Sequence, residues 1–258
     1  MLIMSVVAGL VAIQSGAPPL RAAVSSSEIN SIAKKVRSFS PKDEFDAPPA
    51  QTSLSGREFM IDVQPWGSKA PPVACFGYPM WSYEIANRTL YVSTGKSDLM
   101  LNTFPSRQGA ITKKPASDIW GEKIQYFASD CTRADLPGYT ASNAYGAEFR
   151  IEPTLQTITA IADALPKGSE WPDSFTIQTS GEEARSLVPN LRVRFSGILA
   201  DWKPGVGVAC GSKRDSPTAG SPYDRRLDLC LFNGRIIRID LLDARSGKVL
   251  QSLTRPAD

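Results

Sequence analysis

The sequence predicts a mainly β protein, an antiparallel sandwich or barrel with a short N-terminal helix, and three observations carry that expectation. Short apolar runs bounded by Gly, Pro and Asn recur from residue 56 to the C-terminus, the punctuation of strands and turns. Cysteine occurs four times, an even count without a CxxC pair, which fits a disulfide framework and no zinc-site spacing. Helix-start signatures stand out at two places, Ser25-Ser26-Ser27-Glu28 and Ser180-Gly181-Glu182-Glu183, each a hydroxyl followed three residues on by Glu.

Composition narrows the function classes. The 258 residues are 42% hydrophobic and 21% charged, globular values for a chain long enough to bury a large core. Net charge is +3, and the basic pairs (Lys34/Lys35, Lys113/Lys114, Lys213/Arg214, Arg225/Arg226) are scattered, so no phosphate track and no nucleic-acid partner is expected. Histidine is absent, which excludes a Ser-His-Asp triad, a Cys-His pair and His-ligated zinc. No remaining residue set specifies a catalytic reaction, and no cofactor or metal is expected.

The first thirteen residues, MLIMSVVAGLVAI, are mostly apolar and lead to Gly16, Pro18, Pro19 and the small pair Ala22-Ala23. That pattern reads as a secretory signal over residues 1–23, too short to span a bilayer, although no Lys or Arg precedes the apolar run. The expected location is therefore periplasmic or secreted, with no membrane span left after signal removal. Residues 24–54 read as a helix, with Ile29, Ile32, Ala33, Val36 and Phe39 on one face, then a proline-bearing linker after Pro41.

Strands follow. Glu58–Val63 alternates, and Trp81–Tyr83 and Thr89–Val92 flank a hairpin turn at Ala86-Asn87-Arg88. Lys123–Phe127 and Ala147–Ile151 are further strands, while Leu155–Leu165 fits a helix by its apolar spacing and a strand by its threonines. Leu191–Phe195 alternates apolar and basic residues, as a half-exposed strand does. Asn233-Gly234 carries the strongest hairpin signal in the chain, between strands at Arg226–Leu231 and Arg235–Leu241.

A fixed offset has two readings, an internal duplication or coincidence within a generic β pattern. Phe59 and Phe195 are 136 positions apart, as are Trp66 and Trp202, and Cys75 and Cys210 are 135 apart. The body is accordingly divided into a first β half, residues 55–170, and a second, 171–258. Pairing within each half gives Cys75–Cys131 and Cys210–Cys230, each contributing about 3–4 kcal/mol in the chain-entropy model.

Several motifs yield to structural readings. Thr94-Gly95-Lys96-Ser97 lacks the upstream glycine of a phosphate loop, so it reads as a turn. Ser31-Ile32-Ala33-Lys34 has S-x-x-K spacing without its companion elements. Asn87-Arg88-Thr89 is a formal glycosylation acceptor within a turn. The densest aromatic cluster is Trp66, Phe76, Tyr78, Trp81 and Tyr83. Trp66, Tyr78, Trp81 and Tyr83 are the candidate binding surface, because flat rings stack on apolar ligand faces. Core packing beneath the hairpin is the competing use of the same rings. The function expected is a non-catalytic binding or interaction module of the cell envelope, with an envelope protein or a glycan as partner. The alternative is a hydrolase of cell-wall or extracellular polysaccharide working through paired carboxylates drawn from Asp118, Glu148, Asp201 and Asp228.

Overall fold

The computed structural model describes residues 22–38, 53–67, 75, 77–98, 123–142, 145–166, 169–202, 207–218 and 223–256. The expected signal, apart from its last two residues, lies outside this set, as do Phe39, Pro41, most of the linker, Phe76, Lys113/Lys114 and Asp118.

Helix α1 (Ser26–Ser38) opens where Ser25 Oγ accepts from the Glu28 N–H at 3.3 Å. Its apolar face buries Ile29 and Ala33, with Ile32 and Val36 packed beside them, as the spacing predicts. The strands are β1 (Glu58–Val63), β2 (Trp66–Gly67), β3 (Met80–Glu84), β4 (Thr89–Ser93), β5 (Ser97–Asp98), β6 (Lys123–Asp135), β7 (Tyr139–Ser142), β8 (Glu148–Ile151), β9 (Thr154–Leu165) and β10 (Ser174–Gln178). After helix α2 (Gly181–Leu187) come β11 (Leu191–Leu199), β12 (Val208–Asp215), β13 (Arg225–Asp243) and β14 (Lys248–Thr254).

These strands form an eight-stranded sheet, β1-β11-β13-β9-β6-β5 with β12 and β14 also on β13, a four-stranded sheet β10-β4-β3-β2, and the β7-β8 pair. The protein is mainly β, as expected, but two details of that expectation are corrected. The sheets are mixed, because β9 runs parallel to β13 and β2 parallel to β3, and the described residues contain no closed barrel. A parallel pair needs a long crossover. The stretch between β9 and β13 supplies one, running through β10, α2, β11 and β12.

The hairpin expected at Asn233-Gly234 does not form. Strand β13 runs straight through it for 19 residues. Before the dipeptide β13 pairs with β12 and β9; after it, with β11 and β14. Tertiary contacts override the turn preference. Asn233 Nδ2 donates to Asp201 O at 3.1 Å, and the Ala200 N–H donates to Asn233 O at 2.9 Å. A Cβ on Gly234 would lie 3.0 Å from Ile161 Cγ2 and 3.3 Å from the Phe59 ring, so the glycine provides close approach rather than a turn. The neighbouring β11 bulges at Ser196/Gly197, where a Cβ on Gly197 would collide with Arg235 O.

Leu155–Leu165, ambiguous in sequence, is the central strand β9, covered on both faces. Ile158, Ala160 and Ala162 join one core with Cys75, Cys131 and Leu231. Ile161 joins the other with Phe127, Phe195, Trp171 and helix α1. The segments matched at an offset of 136 are themselves paired, antiparallel, with Met60 opposite Ser196 and Ile61 opposite Phe195. Leu90 and Val92 of β4 and Phe175 of β10 bury their side chains in the same core as Phe195, Ile239 and Leu241 of the large sheet.

Candidate binding groove

Strand alternation puts Trp81 and Tyr83 on one face of β3, and Ile85 opens the turn that follows. In register with β4, Trp81 faces Val92 and Tyr83 faces Leu90. Val92 and Leu90 are fully buried, whereas Trp81 and Tyr83 are only half-buried. The core thins at β3, and the rings there retain an open side.

The turn from β3 to β4 sets the first charged group. Arg88 sits at φ 52°, with its N–H donating to Ile85 O at 3.3 Å and its carbonyl accepting from the Thr179 N–H at 2.9 Å. Left-handed backbone costs a non-glycine residue about 1–2 kcal/mol, which the two backbone bonds at Arg88 help to offset.

Helix α2 forms the opposite wall. Ser180 Oγ accepts from the Glu183 N–H at 3.2 Å, and Glu183 Oε2 accepts from the Ser180 N–H at 2.9 Å, completing the capping box read from the sequence. These bonds hold the Glu183 carboxyl below its ordinary range. The Tyr83 hydroxyl donates to Thr179 O at 3.1 Å, tying β3 to the helix start. A 3-10 turn over Val188–Asn190 then presents Val188 and Pro189.

Between the walls lies a groove of about 530 Å³. Its apolar lining is Trp81, Tyr83, Ile85, Ala184, Val188 and Pro189; its charged lining is Arg88 and Arg185, and among the described residues no Asp or Glu contributes. Among the described residues the side chains of Arg88 and Arg185 make no hydrogen bond or ion pair. A volume of this size is typical of small-molecule sites.

Of the four aromatics singled out in the sequence, Trp81 and Tyr83 line this groove, while Trp66 and Tyr78 lie elsewhere. Those two rings stack on each other, with centroids 4.2 Å apart, against the core around Cys75 and Cys131. Burial and the nearby charge of Asp130 push the Tyr78 phenol up to about 12. Arg185, Ala184 and Val188 were not foreseen as site residues; the capping box located their helix but not its neighbour.

The disulfides are Cys75–Cys131 and Cys210–Cys230, the pairing preferred from spacing. Cys210 stands directly opposite Cys230 in the β12–β13 register. Of the candidate carboxylates, Asp118 lies outside the described residues and the other three have separate surroundings. Glu148 is exposed on β8, Asp201 accepts from the Leu54 N–H at 3.1 Å, and Asp228 lies near Arg37 of α1. Residues Thr94, Gly95 and Lys96 are an irregular link between β4 and β5 in which Lys96 Nζ bonds Glu170 Oε2 at 3.3 Å and Trp171 O at 3.0 Å. No family model, curated protein or solved structure matches this chain.

Proposed function

We propose that this is an exported, non-catalytic binding module whose ligand or partner sits in the groove between β3 and α2. The observation that carries the reading is the groove itself, which has an apolar aromatic wall and two guanidinium groups without partners among the described residues. Such convergence of an apolar wall and a few polar groups marks binding sites generally. Two disulfides fit an oxidising compartment outside the cytosol, and no described helix is long and apolar enough to cross a membrane. The shared core of the two sheets supports a sandwich-like body, a rigid frame on which β3 and α2 hold the groove open. The carboxylate-hydrolase alternative gains nothing here, because the groove lining has no carboxylate.

The experiment is equilibrium binding of glycans and envelope-protein fractions to the purified chain, read by tryptophan fluorescence and repeated with Trp81→Phe and Tyr83→Ala. Saturable binding weakened at least tenfold by Tyr83→Ala, with the optical signal reduced by Trp81→Phe, supports the groove. Binding untouched by both substitutions places the site elsewhere and overturns the reading.

A further inference from the structure

We infer that the natural occupant of this groove is a free amphiphilic carboxylate, a fatty-acid-like molecule with its chain on Trp81 and Tyr83 and its head at Arg88 and Arg185. The inference rests on the groove being the binding site and adds the chemical class of what binds. The wall comes first. Apart from the two arginines, every lining side chain is apolar, aromatic or glycine, and the Tyr83 hydroxyl is already committed to Thr179 O. A sugar would leave its hydroxyls facing carbon, which costs free energy for every unmade hydrogen bond. An alkyl chain asks nothing more of such a wall. Ile85, 82% exposed at the groove margin, extends the apolar track toward solvent.

The head group follows from the arginines. A guanidinium has donors only, so its complement is an acceptor, and the planar fork matches a carboxylate. The nearby acids do not neutralise it. Glu183 is held in the α2 cap by Ser180, and Glu84 accepts from the Tyr91 hydroxyl at 3.4 Å, on the strand face away from Trp81 and Tyr83. Arg88 and Arg185 thus present positive charge to a cleft whose described lining contains no counter-ion. A cleft of about 530 Å³ takes one chain rather than a bilayer surface.

The test uses the full chain and laurate below its aggregation concentration, with glycerol monolaurate and dodecyltrimethylammonium as neutral and cationic partners of equal chain length, measured by calorimetry and by tryptophan fluorescence. Laurate is expected to bind saturably, one per chain, at least tenfold tighter than the neutral analogue, with the cation weakest. Arg88→Gln and Arg185→Gln are each expected to weaken laurate about tenfold without altering glycerol monolaurate binding, as fits a charge-assisted bond exchanged for a neutral one. Raised ionic strength should narrow the gap between the two ligands. Equal affinity for laurate and the neutral analogue overturns the carboxylate while leaving the groove as an apolar site. Failure of every amphiphile, beside Tyr83-dependent binding of a glycan or protein, overturns the inference alone; failure of every ligand class to respond to Tyr83→Ala overturns the groove as well.

Discussion

Asp163 and Asp224 are both shielded carboxylates gripped by an arginine, and their surroundings push them in opposite directions. Asp163, on β9, accepts from Arg255 Nη1 at 2.6 and 2.7 Å and from the Trp171 indole N–H at 2.8 Å. Arg255 also donates to Ala164 O at 2.7 Å and Ile236 O at 3.1 Å, and its side chain is only 11% exposed. Burial wins there and holds the Asp163 carboxyl above its ordinary range despite those donors. Asp224, just before β13, accepts from Arg214 Nε at 2.8 Å and Nη2 at 2.6 Å, and from the Tyr139 hydroxyl at 3.3 Å. Arg214 is 49% exposed, so the pair stays near water, and the Arg214 bonds hold Asp224 below its ordinary range. Two differences set the sign: Asp163 is enclosed with its single arginine, so desolvation prevails, whereas Asp224 has a half-exposed Arg214 and a second cation, Arg226 Nη2, at 4.0 Å.

The largest expected effect breaks the deep pair. Arg255→Met leaves Asp163 enclosed without its cation, and should cost about 3–5 kcal/mol, read as a fall in the urea midpoint at neutral pH. Adding Asp163→Leu should restore part of that loss by removing the uncompensated charge, offset by about 1–3 kcal/mol because the buried Trp171 indole N–H then lacks its acceptor. Arg214→Met is the control. Asp224 can rehydrate once the half-exposed arginine retracts, so the loss should be plainly smaller. Equal losses for Arg255→Met and Arg214→Met would remove the distinction.

A smaller effect lies in the pH dependence, where the two carboxyls give opposite slopes. The folded value of Asp163 is raised from 3.8, so its contribution is full below 3.8 and declines as pH rises through the folded value. For Asp224 the folded value is lowered from 3.8, so its contribution is full above 3.8 and disappears as pH falls through the folded value. Stability measured by urea titration through the acid range should therefore lose a downward trend with rising pH in Asp163→Asn. In Asp224→Asn it should lose an upward one. Slopes of the same sign would refute the role of depth.

Neither pair was visible in the sequence, and the reason is physical. Asp163 and Arg255 meet only because β9 and the end of β14 both border β13-linked sheet; no local pattern encodes that. Strands with one exposed face were legible, as β11 shows, because its buried and less buried residues alternate along Leu191–Leu199. Strand β9 was not, since Ile158 and Ala160 face one core while Ile161 faces the other, and periodicity vanishes when both faces are buried. Asn233-Gly234 misled because a two-residue preference is weaker than the packing of Phe59 and Ile161 against the glycine. The groove was half legible. Trp81 and Tyr83 announced themselves as aromatics, but Arg185 and Val188 arrive from the far side of β10 and are brought there by the fold.

The smallest effect tests whether the shallow pair depends on its third partner. Tyr139→Phe deletes one hydrogen bond to Asp224 Oδ2 and leaves the ring. Tyr139 is 38% exposed, so water can replace the hydroxyl, and the cost should sit near the low end of the roughly 0.5–1.5 kcal/mol of a typical bond. The hydroxyl helps lower the Asp224 carboxyl, so the difference between wild type and Tyr139→Phe should be full when Asp224 is ionised and shrink as acid protonates it. Urea unfolding of both proteins at neutral pH and well below 3.8 reads that difference. A difference that stayed constant through the acid range would mean that the substitution disturbs the packing of the β7–β8 pair, and that Arg214 and Arg226 hold the Asp224 charge without the hydroxyl.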